Sequence, residues 1–236
     1  MITLYQFPRA KNFPNLSPFC CKLETFLRAS KIDYKTESTR NFKRNPKGSI
    51  PYLGYKNEII GDSTLAVNQL NKDFSNPLDG HLSAEQKAQG VAIQTMMEDH
   101  LAQCLSYFRW VDAEVWPNFR NIIFKGLPAP VMAIVPGMLH RRAAKRLKIR
   151  GMGMHTRQEI LDFAAKDIEA VSVLLGSKKF LFGDRVSSFD CVVFGVIGNI
   201  LKEPMASPLT ELARKYPNLQ AHTQLMLSTY YPELNQ

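Results

Sequence analysis

The sequence predicts an α/β domain followed by an all-α domain, and three observations predict it. Strand and helix signals alternate from residue 1 to about residue 75. A stretch rich in Pro, Gly, Asn and Ser, D-F-S-N-P-L-D-G-H-L-S (73–83), then interrupts the chain as a linker would. Beyond it strand signals nearly vanish, and apolar residues recur at helical spacing. The first domain is placed at 1–75 and the second at 84–236. At 236 residues, 45% hydrophobic and 22% charged, the chain is long enough for one large domain or two small ones.

The elements follow in order. I-T-L-Y-Q-F opens as a strand. Ser17 is a good helix N-cap, Pro18 suits the first helical position, and Leu23, Phe26 and Leu27 share one side of a helix over 18–30. I-D-Y-K-T-E-S (32–38) alternates as a second strand. N-F-K-R-N-P-K-G (41–48) is a polar connector, and P-Y-L-G-Y-K-N-E-I-I (51–60) reads as two short strands around Lys56-Asn57. G-D-S-T-L-A-V-N-Q-L (61–70) opens another helix. Strand–helix–strand, then hairpin–helix, is the order of a thioredoxin-like domain. After the linker, Ile93, Met97, Leu101, Cys104 and Phe108 form one helical stripe, and Ile160, Ala164, Ile168, Val171 and Leu175 another. Such stripes belong to a core. Residues 151–154, G-M-G-M, read as a flexible break before a capping box at Thr156 and Glu159.

Composition excludes several classes. The longest apolar run, G-L-P-A-P-V-M-A-I-V-P-G-M-L (126–139), is too short to cross a membrane and carries three prolines. It reads as a loop with a buried or pocket-lining turn. The N-terminus starts as a strand, without the basic start of a signal peptide, so a cytoplasmic location is expected. No C-x-x-C and no Cys/His cluster suggests a metal, and Cys104 and Cys191 read as small core residues in a reducing compartment. The formal net charge is +9. H-R-R-A-A-K-R-L-K-I-R (140–150) concentrates it, and a solvated helix face is the simplest account. No nucleic-acid motif accompanies it, so no nucleic-acid partner is expected.

Short motifs then carry a resemblance. S-P-F-C (17–20), N-P-K-G-S-I-P-Y-L (45–53), G-D-S-T-L (61–65), V-S-S-F-D-C-V-V-F-G (186–195) and Y-P-N-L (216–219) stand in the order of a glutathione S-transferase. The segments Y-Q-F-P-R-A-K-N-F-P-N-L-S-P-F-C-C-K-L-E-T-F-L-R, G-M-G-M-H-T-R-Q-E-I and F-L-F-G-D-R-V-S-S-F-D resemble the branch named after failed axon connections, related to the metaxins. Each motif is weak alone, and the ordered set covers nearly the whole chain.

The resemblance implies a glutathione-dependent transferase, with glutathione as co-substrate and a small unidentified electrophile as second substrate. The reactive form of glutathione is its thiolate. Ser17, at the positive end of a helix, offers a hydroxyl to that anion. Cys20 stands where a thioredoxin-type site has its second cysteine and is the alternative nucleophile. Cys21 reads as packing. Ile50-Pro51 matches the cis-proline position, whose preceding residue pairs with the cysteinyl unit like an added strand. Asp62 and Ser63 match the pair that takes the γ-glutamyl end, Asp62 facing the amino group and Ser63 the carboxylate. Lys47 or Ser49 is assigned to the glycyl carboxylate.

Other polar residues read as structural. Ser187 and Asp190 form a capping box. His100, after Glu98-Asp99, reads as a satisfied histidine rather than a base. Tyr107, Phe108, Trp110 and Trp116 can line an apolar pocket but are more often core. The long loop 8–16, with Arg9, Lys11 and Phe13, stands where it can cover the cleft. The metaxin-like relatives serve in protein complexes, so a non-catalytic binding module with a vestigial glutathione site is the second reading. The chain's end carries no apolar anchor, so no membrane span is expected. A homodimer is expected from the family alone.

Overall fold

A computed structural model describes residues 1–234 of the chain. The predicted helical domain to 236 includes Asn235 and Gln236, which lie outside the described residues. Four strands, β1 (Ile2–Gln6), β2 (Tyr34–Ser38), β3 (Tyr52–Tyr55) and β4 (Glu58–Gly61), form one sheet in the order β2-β1-β3-β4. β1 and β2 are parallel and are joined by helix α1 (Pro18–Ala29). β3 runs antiparallel to both β1 and β4. Lys56 and Asn57 turn the β3–β4 hairpin with φ of 50° and 65°, as a two-residue hairpin loop demands. Asn is among the residues that tolerate such angles.

Helix α2 (Ser63–Asp73) packs beside α1. Leu23, Phe26 and Leu27 of α1 and Ala66, Val67 and Leu70 of α2 share a core with Ile2, Leu4 and Leu53 of the sheet. The rest is helical: α3 (Ala84–Thr95), a π segment (Met96–Leu101), α4 (Ala102–Trp110), α5 (Trp116–Ile123), α6 (Ala129–Ile149), α7 (Arg157–Leu175), α8 (Ser188–Leu201), α9 (Pro208–Ala213) and α10 (Pro217–Tyr230). Both predicted stripes lie buried in one core with Val192, Val193, Val196 and Ile197 of α8. Residues 189–200 of α8 are all buried. Ser187 and Asp190 do cap this helix, and Asp190 also accepts from Leu181 N at 2.8 Å.

The structure corrects two local expectations. Residues 129–139 are helix α6 rather than a loop. Pro130 lies in the first turn, where its missing N–H is harmless, and Pro136 is buried inside the helix. Tertiary burial here overrides the proline penalty of about 3 kcal/mol. Residues 151–154 are not a flexible break. Met152–Met154 is a 3-10 turn with Met152 buried against Cys104, and a Cβ on Gly153 would meet Lys148 N at 2.8 Å.

Close backbone approach joins the two halves. A Cβ on Gly195 of α8 would lie 2.7 Å from the carbonyl oxygen of Pro18 on α1. Gly195→Ala is therefore expected to cost about 1–3 kcal/mol. Gly137→Ala, on α6 with open space around its Cβ site, is expected to be neutral or to stabilise by about 0.4–1 kcal/mol. Thermal melts of the two variants side by side check this. Equal melting temperatures would contradict the close α1–α8 contact.

Candidate functional site

The sheet register gathers the predicted residues at one end. Tyr5 pairs with Tyr52, and Tyr52 pairs with Gly61. One or two residues beyond that rung come Phe7, Ile50-Pro51 and Asp62-Ser63. Asn15 Nδ2 donates to the Phe7 carbonyl at 2.8 Å, which brings the start of α1 to the same end. Cys20 packs with Tyr5, Ile50 and Tyr52 in a small cluster.

Ser17 caps α1 in extended conformation, and its Oγ accepts from Cys20 N at 3.4 Å. The hydroxyl proton is not used in that bond. The side chain stays half-buried at the mouth of the helix. The chain leading into it is held firmly. Asn15 Oδ1 accepts from Ser17 N at 3.0 Å, and Arg109 of α4 donates to the Leu16 carbonyl at 2.6 Å. Arg109 is buried and pairs with the fully buried side chain of Glu203 at 2.5 Å. It also donates to Asn199, whose Nδ2 reaches the Asn15 carbonyl at 3.1 Å. Sequence reading missed Arg109, Asn199 and Glu203, because they lie more than 90 residues from Ser17 and carry no local signature.

Cys20 is 0% exposed, and burial pushes its thiol up to about 12, against a smaller opposing effect from Ser17. A thiol so placed is neutral at physiological pH and shielded from reagents. Cys21 is also buried, as its packing role requires. The Ile50–Pro51 bond is cis. The ladder on β3 begins at Tyr52, so Ile50 lies just past the last paired residue.

Asp62 is exposed and holds φ at +83°. This region is costly for a non-glycine residue by about 1–3 kcal/mol and clusters at functional sites. Its carboxylate caps α2, accepting from Thr64 N at 2.8 Å and Leu65 N at 3.1 Å. Ser63 follows at the first helical position and is buried.

Lys47 and Ser49 are exposed on the preceding turn. That turn is organised by buried Asn45, a further residue the sequence reading missed. Asn45 accepts from Lys47 N at 3.0 Å and donates to the Ser49 carbonyl at 2.7 Å. It fits only because β4 ends in Gly61, where a Cβ would lie 1.9 Å from its Oδ1. The signal was present as Asn-Pro with Gly48 at φ +63°, an Asx-type turn.

The remaining candidates lie elsewhere. His100 Nδ1 is 2.6 Å from Asp167 Oδ2, a local pairing consistent with its structural reading. Phe108 is core, and Trp110 and Trp116 stack at 5.5 Å against Phe119 and His140. Loop 8–16 is held against α1 and α8. Arg9 pairs with buried Glu24 at 2.6 Å, and Phe13 packs on Phe194. A cavity of about 400 Å³ lies between α1, α2, α3 and α8, lined by Lys22, Thr64, Gln94 and Glu98 among others, and none of the predicted site residues lines it.

This architecture matches known proteins across its length. Residues 18–115 match the family described as glutathione S-transferase N-terminal domain, and residues 164–226 match glutathione S-transferase, C-terminal domain. The chain belongs to the glutathione S-transferase family. It is 31% identical to failed axon connections of Drosophila melanogaster over 99% of this chain and 59% of that protein. The chain thus spans less than two thirds of that relative. It is 28% identical to isoprene-epoxide–glutathione S-transferase of Rhodococcus sp., over 98% and 99% of the two chains. It is 28% identical to metaxin-1 of Bos taurus over 88% of this chain and 68% of that protein. Among solved structures, a beta-etherase from Sphingobium aligns with TM-score 0.66 at 17% identity, covering 99% and 98%. A glutathione S-transferase from Methylobacillus flagellatus with glutathione bound aligns with TM-score 0.61 at 15% identity, covering 96% and 95%. Among the described residues no helix is long and apolar enough to cross a membrane.

Two expectations test this geometry. Arg109→Met leaves the Glu203 carboxylate buried without its cation. The cost is expected at about 3–5 kcal/mol, with much of it restored in the Arg109→Met/Glu203→Gln pair; denaturant melts measure both. All four cysteines are buried, so iodoacetamide at neutral pH is expected to label none until the protein is unfolded. Rapid labelling of Cys20 in the native state, read by mass spectrometry, would contradict its placement.

Proposed function

We propose that the chain is a glutathione-dependent transferase in which Ser17, rather than Cys20, stabilises the glutathione thiolate. The observation that carries this reading is the half-buried Ser17 hydroxyl at the N-terminus of α1, with its oxygen already accepting from Cys20 N. The hydroxyl proton is not used in that bond and is free to turn to a ligand, and the helix end adds positive potential. Both favour a sulfur anion. Cys20 is set aside by its burial. Ile50, past the end of the β3 ladder, offers its backbone to the cysteinyl unit in the manner of an added strand. Asp62 uses one carboxylate oxygen for its own helix and keeps the other for an amino group. Ser63 N–H, at the first turn of α2, suits the γ-glutamyl carboxylate, while Lys47 or Ser49 takes the glycyl end.

In the reaction the thiol proton leaves to solvent, and the thiolate attacks an electrophilic carbon held by the helical half. A C–S bond forms as the bond to the leaving atom breaks. The Rhodococcus relative, whose name joins glutathione to an epoxide, aligns over nearly its whole length and supports an electrophile of that kind. A homodimer and a cytoplasmic location belong to the same proposal. The second reading, a non-catalytic binding module, is favoured by the similarity to failed axon connections and metaxin-1.

Glutathione titration separates the two. Binding at a hundredfold excess over Kd is expected to stabilise the protein by about 2.7 kcal/mol, seen as a rise in melting temperature. Ser17→Ala is expected to lower kcat/KM for conjugation by about ten- to a hundredfold, and Cys20→Ala to leave it nearly unchanged. An absent thermal shift at millimolar glutathione would favour the binding module. Loss of activity in Cys20→Ala with full activity in Ser17→Ala would reverse the two roles.

A further inference from the structure

Helix α6 carries charge that the proposed chemistry does not use. From residue 115 to 158 the chain has no Asp or Glu and nine Lys or Arg. Nine is also the entire net charge, since outside this stretch 21 basic residues face 21 acidic ones. Six of the nine, Arg141, Arg142, Lys145, Arg146, Lys148 and Arg150, lie on the C-terminal part of α6 or its cap, and all six are exposed.

The N-terminal half of the same helix is apolar and also exposed. Ile134 is 67% exposed, Met138 49% and Val131 36%. At 100° per residue, Val131, Ile134, Met138, Arg142, Lys145 and Ile149 fall within an arc of about 80°. The opposite side carries buried Pro136 and Leu147. One outward ridge, roughly 27 Å long, therefore runs from apolar side chains into cations and ends on Ile149, which is 75% exposed. Solvation explains the cations but not the apolar residues in line with them.

We propose that α6 docks this protein on an anionic lipid surface, lying in the plane of the interface. The sign of the charge names an anionic partner. The apolar half and the ridge's convex shape select lipid among anionic surfaces. Val131, Ile134 and Met138 enter below the headgroups, while Arg142 and Lys145 lay their stems along the same depth and keep their heads at the phosphates. A nucleic acid uses the cations but gives Ile134 and Met138 nothing to bury against, and no aromatic residue stands on the ridge to stack with bases.

Co-sedimentation tests this, using the full chain with vesicles of phosphatidylcholine alone or with about one third phosphatidylserine. Binding is expected only with phosphatidylserine and is expected to weaken as salt rises. Arg142→Gln/Lys145→Gln and Ile134→Ser/Met138→Ser are each expected to weaken it about tenfold, with unchanged thermal melts because these side chains face solvent. In Ile134→Trp, brominated lipid is expected to quench emission that is unquenched in the parent protein. The proposal is overturned if phosphatidylserine vesicles do not bind. It is equally overturned if the serine pair binds as tightly as the parent, if the Ile134→Trp variant shows no added quenching, or if a short DNA duplex binds as tightly as the vesicles.

Discussion

Helix α1 is buried on every side over residues 20–27, charged residues included. It lies between the sheet, α8, α10 and the returning loop 8–16, so its polar side chains must find partners across the molecule. Lys22 Nζ meets Glu98 of the π segment at 2.6 Å and Thr64 of α2 at 2.8 Å. Glu24 gathers Gln6, Arg9, Arg28 and Tyr34. Arg28 in turn pairs with Glu233 at 2.7 Å and lies over the Tyr231 ring. Apart from the Glu24–Arg28 pair within the helix, these contacts join α1 to different parts of the chain. Removing the partners of Lys22 or Glu24, whose side chains are buried, strands a charge in the interior, which costs far more than the pair contributes.

That burial fixes where the N-terminal end of the helix points. Ser17 sits at a boundary: from Cys20 onward the helix is core, and the residues before Ser17 are clamped by Asn15, Arg109 and Asn199. In the role proposed for it, a hydroxyl held this way would need no reorganisation to meet an anion, which is what makes fixed donors effective. The same burial disqualifies the neighbouring thiol. Cys20 is three residues further into the helix, and that turn carries it from the mouth into the cluster with Tyr5, Ile50 and Tyr52.

The π segment fits this scheme. A single wide turn in the long helix from Ala84 to Trp110 re-aims the side chains that follow it. Glu98 reaches Lys22 and Thr64, while His100 turns to Asp167. The helical half thereby touches both α1 and the start of α2. Helices α1 and α2 are thus both held by one continuous rod.

The sequence by itself determined what depends on near neighbours. The order of strands and helices, the hairpin turn at Lys56-Asn57, and the caps at Ser17, Thr156 and Ser187 were legible because each rests on residues within about four positions. The family was legible because those local signals come in a fixed order. The tertiary structure alone decided the rest. Whether Cys20 faces ligand or core depends on how α1 lies against the sheet. Whether the prolines of 126–139 break a helix depends on Pro136 finding a buried place. The clamp on Ser17 joins residues some ninety positions apart, and chain spacing carries no record of contacts that only packing creates.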